Sequence, residues 1–149
     1  MIKTLNPDFK NTILEKLERQ TFMNFIGFRV TNIAEGKIEG ELTLKEEHKQ
    51  QKGFVHGGLI ATVADIVAGF AAVSLVPKGH HVVTVELKVT YLNPGVGDIL
   101  LAKGWVLKQG RKLNFCEAEI YCKSGGEVPV LIAKATTTMA ILSPEDVQK

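Results

Sequence analysis

Asp65 is the residue best suited to do chemistry, because it is the one ionisable side chain in a long apolar run. From Gly57 to Val76 the sequence is GGLIATVADIVAGFAAVSLV, about five helical turns with apolar or small residues on every side. A helix that is apolar all round must be buried, and an unpaired buried carboxylate is costly unless it loses its charge. We therefore expect Asp65 to be buried and to have either a partner or a catalytic role.

The same helix begins with His56-Gly57-Gly58, which places two flexible backbone N–H groups at its N-terminus. The helix macrodipole favours negative charge at that end, so these groups can polarise a carbonyl oxygen. We expect His56 to order the loop through a backbone hydrogen bond rather than to act as a base. One helix therefore offers an electrophilic end and a carboxylate.

The spacing of these two groups predicts a dimer. Gly57 and Asp65 are eight residues apart, about 12 Å along one helix. An oxyanion donor and a base must both lie within hydrogen-bonding reach of one reacting carbonyl. Two antiparallel helices related by a two-fold axis satisfy this requirement, and two-fold dimers are the commonest homo-oligomers. A catalytic site here is therefore expected to be composite.

The rest of the chain predicts an antiparallel sheet around this helix. An amphipathic helix is expected over about 8–19, and strands are expected over 28–33 and 37–44. A clear period of two predicts another strand over 83–91. Hairpin-length turns separate further strands at about 99–108, 112–123 and 129–142. Because only a curled sheet can cover an all-apolar helix, we predict an α+β fold with the sheet wrapped around one central helix. The chain is expected to be a single domain, 1–149, with an N-terminal helical segment over 1–25 and a polar tail over 143–149.

Small residues predict how closely that helix approaches its neighbours. At 100° per residue, five of the small residues form a stripe that occupies about 80° of the helix circumference. Asp65 lies at the edge of this arc. The stripe is formed by Gly57, Ala61, Ala64, Ala68 and Ala72.

Composition excludes several function classes. The net charge of +2, without a basic run, argues against nucleic-acid binding. The N-terminal residues contain no apolar signal-peptide core, and the central Asp65 argues against a membrane span. Cys116 and Cys122 are expected about 20 Å apart on one strand, too far for a disulfide, which suits a reducing cytoplasm. We expect no metal at His80-His81, and no serine triad, because Ser74 and Ser124 lack the necessary sequence context.

Four segments together resemble the hotdog-fold acyl-CoA thioesterases of the PaaI and thioesterase superfamily member 2 type. They are His56-Gly57-Gly58, Asp65, VTVELKVTYLNP from Val83 to Pro94, and LKQGRKLNF from Leu107 to Phe115. The resemblance extends from about Glu35 to Leu142. It implies a hotdog fold, assembly into homodimers and further into homotetramers, and hydrolysis of acyl-CoA without a cofactor or metal.

The resemblance also implies roles for individual residues. Gly57 matches the oxyanion glycine and Asp65 the catalytic acid of the family. Gln50 stands where the family has an asparagine and adds one methylene, while Thr84 matches a serine and keeps the hydroxyl. The substrate-binding residues that it implies are His56, Gly58, Tyr91, Asn93, Pro94, Gly110, Arg111 and Lys112.

The predicted function is therefore acyl-CoA thioester hydrolysis across a dimer interface. Asp65 acts either as a base toward water or as a nucleophile, and the sequence leaves both routes open. Two alternatives remain, a non-catalytic acyl-CoA-binding regulatory domain and a hotdog hydratase or dehydratase that uses His56 with a carboxylate. The sequence does not indicate which acyl group is preferred.

Overall fold

The computed structural model describes residues 1–148, which form helices at both ends of the chain and six strands around one long helix. The helices are α1 (Phe9–Glu18), α2 (Thr21–Ile26), α3 (Gly57–Val73) and α4 (Pro144–Val147). The strands are β1 (Phe28–Ala34), β2 (Lys37–Thr43), β3 (His81–Tyr91), β4 (Ile99–Gln109), β5 (Leu113–Lys123) and β6 (Val130–Leu142). A short 3₁₀ turn, Glu46–His48, lies in the loop before α3.

The six strands form one antiparallel sheet in the order β1-β2-β4-β5-β6-β3. Helix α3 packs against β2, β3, β4, β5 and β6, and the core consists of its buried side chains with those of the facing strands. This confirms the predicted α+β architecture of an antiparallel sheet around one central helix. Strands β1 and β3 are the two edges of the sheet.

The small-residue stripe of α3 is buried where the helix lies closest to the sheet. Ala64, Ala68 and Ala72 have no exposed surface. On the facing strand, a Cβ added at Gly104 would lie 2.5 Å from the backbone carbon of Val67 and 2.7 Å from the nitrogen of Ala68. A real side chain does not fit there, so Gly104 allows the backbone of α3 to rest directly on β4.

Strand β3 departs from the regular alternation that its sequence predicts. Strict alternation places Val83 and Val85 on the inner face and Thr84 on the outer face. In the structure the register shifts between Thr84 and Glu86, which leaves Val85 as the extra residue of a β-bulge. Thr84 therefore pairs with buried Met139 and faces α3, while Val83 and Val85 are 44% and 63% exposed. The predicted period of two therefore holds over 86–91 and is interrupted at Val85, where the bulge adds one residue.

Two segment ends also differ from expectation. The long helix ends at Val73 rather than Val76, because buried Ser74 donates to the carbonyl of Ala71 at 2.6 Å and accepts from the N–H of Gly36 at 2.7 Å. Within the predicted polar tail, Pro144–Val147 form the one-turn helix α4, which a capping box between Ser143 and Asp146 starts, while Lys149 lies outside the described residues. Both ends depend on side-chain to backbone hydrogen bonds that hydropathy does not encode.

Cys116 and Cys122 lie on β5 as predicted, and both are buried free thiols. Burial raises the pKa of the Cys116 thiol to about 11 and also raises the pKa of Cys122. Among residues 1–148, no helix has the length and apolar character needed to cross a membrane.

Candidate active site

Asp65 projects from the middle of α3 toward the bulged part of β3. Its Oδ1 accepts a hydrogen bond of 2.6 Å from the hydroxyl of Thr84. The same hydroxyl lies 3.4 Å from the sulfur of Met139. The carboxylate is half-buried rather than fully buried, so the expectation of complete burial within one chain was wrong. Solvent reaches Asp65 beside β3, which is an edge strand of the sheet.

A cavity of about 480 Å³ opens beside this pair. Asp65 and Thr84 form part of its wall, and the remainder is supplied by α3, β3, β6 and the N-terminal helices. The apolar lining residues are Met23, Ile66, Phe70, Val73, Val82 and Met139. The arrangement places one carboxylate with a hydrogen-bonded hydroxyl at the side of a mainly apolar chamber.

The N-terminus of α3 keeps an unused backbone donor. His56 is the N-cap, and its Nδ1 accepts from the N–H of Gly58 at 3.0 Å. A backbone hydrogen bond of this kind is what the sequence analysis predicts for His56. Within residues 1–148 the N–H of Gly57 donates to no acceptor. It therefore remains available at the positive end of the helix dipole.

Gly57 lines a second cavity, of about 580 Å³, between the α3 N-terminus and the turn that follows β3. The Tyr91 hydroxyl donates to the carbonyl of Gly57 at 2.7 Å and holds the end of β3 against the helix. Asn93 fixes the turn by donating from Nδ2 to the carbonyl of Leu131 at 2.9 Å. The predicted site residues that this cavity brings together are Gln50, Gly57, Gly58, Tyr91, Asn93 and Pro94.

His56 faces a different space from these residues. It lines a smaller cavity of about 310 Å³ with Phe25, Ile26, Glu47, His48 and Leu59. His48 is itself buried, and its Nδ1 accepts from the N–H of Lys45 at 3.0 Å. The two histidines thus order the loop that leads into α3.

The hairpin between β4 and β5 lies at the opposite end of α3 from Gly57. Gly110 and Arg111 line a cavity of about 420 Å³ with Leu75, Val76 and Pro77, which follow the C-terminus of α3. Lys112 is exposed, and its carbonyl accepts from the N–H of Ile141 at 2.8 Å. One chain therefore separates Arg111 and Lys112 from the residues around Gly57.

Two lining residues of the Asp65 cavity were missed by the sequence analysis. Lys16 and Arg19, near the end of α1, reach this cavity although they precede Asp65 by more than 40 residues. The amphipathic pattern of α1 predicts a solvated polar face. It does not indicate which cavity of the folded protein that face borders. Among residues 1–148, no group of three or more histidine, cysteine or acidic side chains is arranged to hold a metal ion.

Comparison with known proteins gives one matching family, the Thioesterase superfamily, whose model matches residues 52–129. Human acyl-coenzyme A thioesterase 13 is 28% identical over 127 residues, which cover 84% of this chain and 90% of the relative. The Escherichia coli medium/long-chain acyl-CoA thioesterase YigI is 28% identical over 103 residues, covering 60% of this chain and 64% of the relative.

Solved structures extend the same likeness. A thioesterase family protein from Silicibacter pomeroyi superposes with a TM-score of 0.88 at 33% identity, covering 91% of this chain and 98% of that one. The zebrafish thioesterase superfamily member 2 gives a TM-score of 0.71 at 28% identity, with coverages of 92% and 99%. The E. coli PaaI protein, at 20% identity and a TM-score of 0.80, covers 94% of this chain and 97% of that one and shares the fold.

Proposed function

The chain belongs to the Thioesterase superfamily and has its hotdog fold, and from this premise we propose that it hydrolyses acyl-CoA to a free acid and CoA. Relatives named acyl-CoA thioesterases support acyl-CoA as the substrate class. The observation that carries the proposal is the Asp65 carboxylate, held by the Thr84 hydroxyl at the side of a mainly apolar cavity. A positioned carboxylate next to room for an acyl group is what hydrolysis of a thioester requires.

Asp65 supplies the reactive oxygen in either of two routes. As a base, Asp65 takes a proton from water while the water oxygen bonds to the carbonyl carbon. The C–S bond then breaks, and Asp65 returns the proton to the departing thiolate, which leaves as the thiol. As a nucleophile, its own oxygen bonds to that carbon, the thiolate leaves, and water then splits the anhydride into the free acid and regenerated Asp65. Thr84 fixes the carboxylate in both routes, and Gln50 would orient the water or thioester from the second cavity.

Gly57 N–H acts as the oxyanion donor in this proposal. It is unpaired within residues 1–148 and sits at the start of a 17-residue helix, where the partial positive charge is greatest. Gly58 N–H is already used by the side chain of His56, which leaves Gly57 as the free donor of the pair. Tyr91 secures the position of Gly57 through its carbonyl.

The two half-sites are proposed to meet across a dimer. Gly57 and Asp65 line different cavities, and eight residues of helix separate them by about 12 Å. Strand β3 is an 11-residue edge strand with one side free of strand partners among the described residues. Such an edge is a ready template for pairing with a second chain. Pairing of two β3 strands about a two-fold axis would set the two α3 helices antiparallel.

Residues away from the reacting carbonyl are proposed to bind the rest of the acyl-CoA molecule. Arg111 and Lys112 would bind the phosphates of CoA, with Gly110 allowing the hairpin to approach. His56, Gly58, Tyr91, Asn93 and Pro94 would shape the entrance at the α3 N-terminus. We also propose assembly of the dimers into a tetramer, and a cytoplasmic location, which the two free thiols favour.

The experiment is a free-thiol assay over a panel of acyl-CoA substrates, with the wild-type protein and Asp65→Asn. We expect Asp65→Asn to lower kcat by at least about 10²-fold, the lower end for loss of a positioned base. Asp98→Asn is the matched control, because Asp98 is an exposed aspartate on the loop before β4. Circular dichroism and thermal unfolding establish that all three proteins are folded.

Two results would contradict the proposal. A folded Asp65→Asn protein with nearly wild-type turnover would remove Asp65 from the mechanism. Release of no thiol from any substrate by the wild-type protein would favour the non-catalytic binding domain instead. A hydratase is disfavoured because the Nδ1 atom of His56 already accepts from the N–H of Gly58 as the N-cap of α3.

A further inference from the structure

We propose that the cavity beside Asp65 receives acyl groups that carry a second carboxylate at the end remote from the thioester. The inference rests on the proposed function, because it names the substrate class of the same site. Its basis is the combination of apolar walls along the cavity and two cationic side chains, Lys16 and Arg19, on the same lining.

The walls near Asp65 suit a methylene chain. The lining on α3 continues from Asp65 through Ile66, Gly69 and Phe70 to Val73, which is about 12 Å of helix. Gly69 leaves room along this row, since a Cβ there would have only the terminal carbon of Met139 near it, at 3.9 Å. Burial of alkyl carbons against these surfaces is favourable because it removes apolar area from water.

The cations lie where this cavity borders a second one. Lys16, Arg19 and His81 also line an adjoining cavity of about 260 Å³, which extends to Lys78 and Gly79 beyond the C-terminus of α3. The residues common to both cavities mark the place where the two meet. Asp65 belongs only to the first cavity, and its partner Thr84 lies three residues beyond the shared residue His81, about 10 Å along β3.

Neither cation has an acidic partner among residues 1–148. No ion pair within 4.0 Å involves Lys16 or Arg19, although other surface lysines of the chain do form such pairs. Asp65 is the single carboxylate on the lining of the first cavity, whereas Glu15 lines the adjoining one. A ligand carboxylate would therefore be repelled near Asp65 and attracted by Lys16 and Arg19 where the two cavities meet.

The chemistry of the pair favours a carboxylate over a neutral polar group. Arg19 can donate two parallel hydrogen bonds to one carboxylate, and Lys16 adds a second positive charge on the same helix. Because Lys16 is half-buried and Arg19 exposed, water screens part of this attraction. The expected selectivity is therefore moderate, about tenfold rather than several hundredfold.

The test compares substrates of equal carbon number that differ only at the remote end. We would measure kcat/KM for suberoyl-CoA against octanoyl-CoA, and for adipoyl-CoA against hexanoyl-CoA, with free thiol as the readout. We expect the wild-type ratio to exceed one for the suberoyl pair and to decrease as salt rises, since the attraction is between charges. A ratio of one or less for both pairs would overturn the inference.

Variants connect the ratio to these two residues. In Lys16→Gln/Arg19→Gln we expect the suberoyl-to-octanoyl ratio of kcat/KM to fall about tenfold. Lys10→Gln is the matched control, since Lys10 is an exposed lysine of α1 that lines neither cavity. The ratio removes any effect on binding of CoA itself, because both substrates carry the same CoA. An unchanged ratio in the double variant would overturn the inference.

Failure of this inference differs from failure of the proposed function. Thiol release from octanoyl-CoA that depends on Asp65, with no preference for a remote carboxylate, contradicts the inference alone. Absence of thiol release from every substrate contradicts the proposed function as well. If the double variant does not fold, the single variants Lys16→Gln and Arg19→Gln and the salt dependence of the wild-type ratio decide the matter.

Discussion

At the scale of single residues, the site depends on one short hydrogen bond between Thr84 and Asp65. The hydroxyl donates to Oδ1 at 2.6 Å, and this leaves the other carboxylate oxygen free for a proton or a carbonyl carbon. A lone carboxylate in an apolar run therefore has a partner, as its sequence context predicts. The partner fixes its orientation without neutralising its charge.

The two cysteines give a residue-scale prediction for the resting protein. Because the pKa of Cys116 is about 11 and that of Cys122 is also raised, we expect very little thiolate at pH 8, about a thousandth for Cys116. Both side chains are also buried. Reaction with a disulfide reagent should be slow in the native protein and should label two thiols per chain in denaturant.

Single alanine replacements of Cys116 and Cys122 assign the signals in that experiment. Reaction of either native thiol at the rate of free cysteine would show that β5 is not packed as described. Slow reaction has a practical consequence as well, since the protein's own thiols would not interfere with detection of released CoA.

At the scale of secondary-structure elements, close contact between α3 and β4 positions the site. Gly104 has no side chain where the backbone of Val67 and Ala68 comes within 2.7 Å of a Cβ position. The β-bulge at Val85 acts on the other side of the helix by turning Thr84 toward Asp65. The distance between helix and sheet therefore sets whether the Thr84 hydroxyl reaches the carboxylate.

Gly104→Ala tests this packing. The added methyl group must displace backbone atoms of α3, so we expect a loss of about 1–3 kcal/mol in the free energy of unfolding. Gly126→Ala is the matched control, because a Cβ at Gly126 has no neighbour within 4 Å and should change stability by less than about 0.5 kcal/mol. Urea unfolding measures both values, and equal stability of the two variants would contradict the close approach.

At the scale of the whole molecule, the proposed site is composite, with each chain supplying half of it. Gly57 and Asp65 line cavities of about 580 Å³ and 480 Å³. The Arg111 hairpin lies at the far end of α3, beside the residues that follow its C-terminus. In an antiparallel pair of helices, the Asp65 and Arg111 of one chain would approach the Gly57 of the other.

Subunit mixing tests the composite site. Asp65→Asn removes the carboxylate, and Gly57→Val should crowd the oxyanion donor because a Cβ there already lies 3.4 Å from the Tyr91 ring. One site of a mixed dimer collects both lesions and the other is intact. Statistical mixing gives about half heterodimers, so co-refolding should restore about a quarter of wild-type activity.

Mass measurement of the mixture confirms whether heterodimers form. Refolding each inactive variant alone provides the control for recovery during the procedure. Heterodimers that show no more activity than either parent would contradict a shared site.

Much of the fold could be predicted from the sequence because its signals are local. The apolar run with glycines at its start determined the position of α3, and hairpin turns between alternating strands determined an antiparallel sheet. The same run singled out Asp65, and His56-Gly57-Gly58 singled out the helix N-terminus. These features depend on residue types within a few positions of each other, which is the range over which periodicity and capping act.

Only the tertiary structure decided which distant groups meet. The extra residue at Val85 turns Thr84 toward α3, and alternation alone cannot locate a bulge that depends on pairing with β6. Lys16 and Arg19 border the Asp65 cavity because α1 folds back across α3, a contact that joins segments far apart in the chain. The half-burial of Asp65 has the same origin, since helical periodicity marks apolar positions but does not indicate that Asp65 lies beside an edge strand of the sheet.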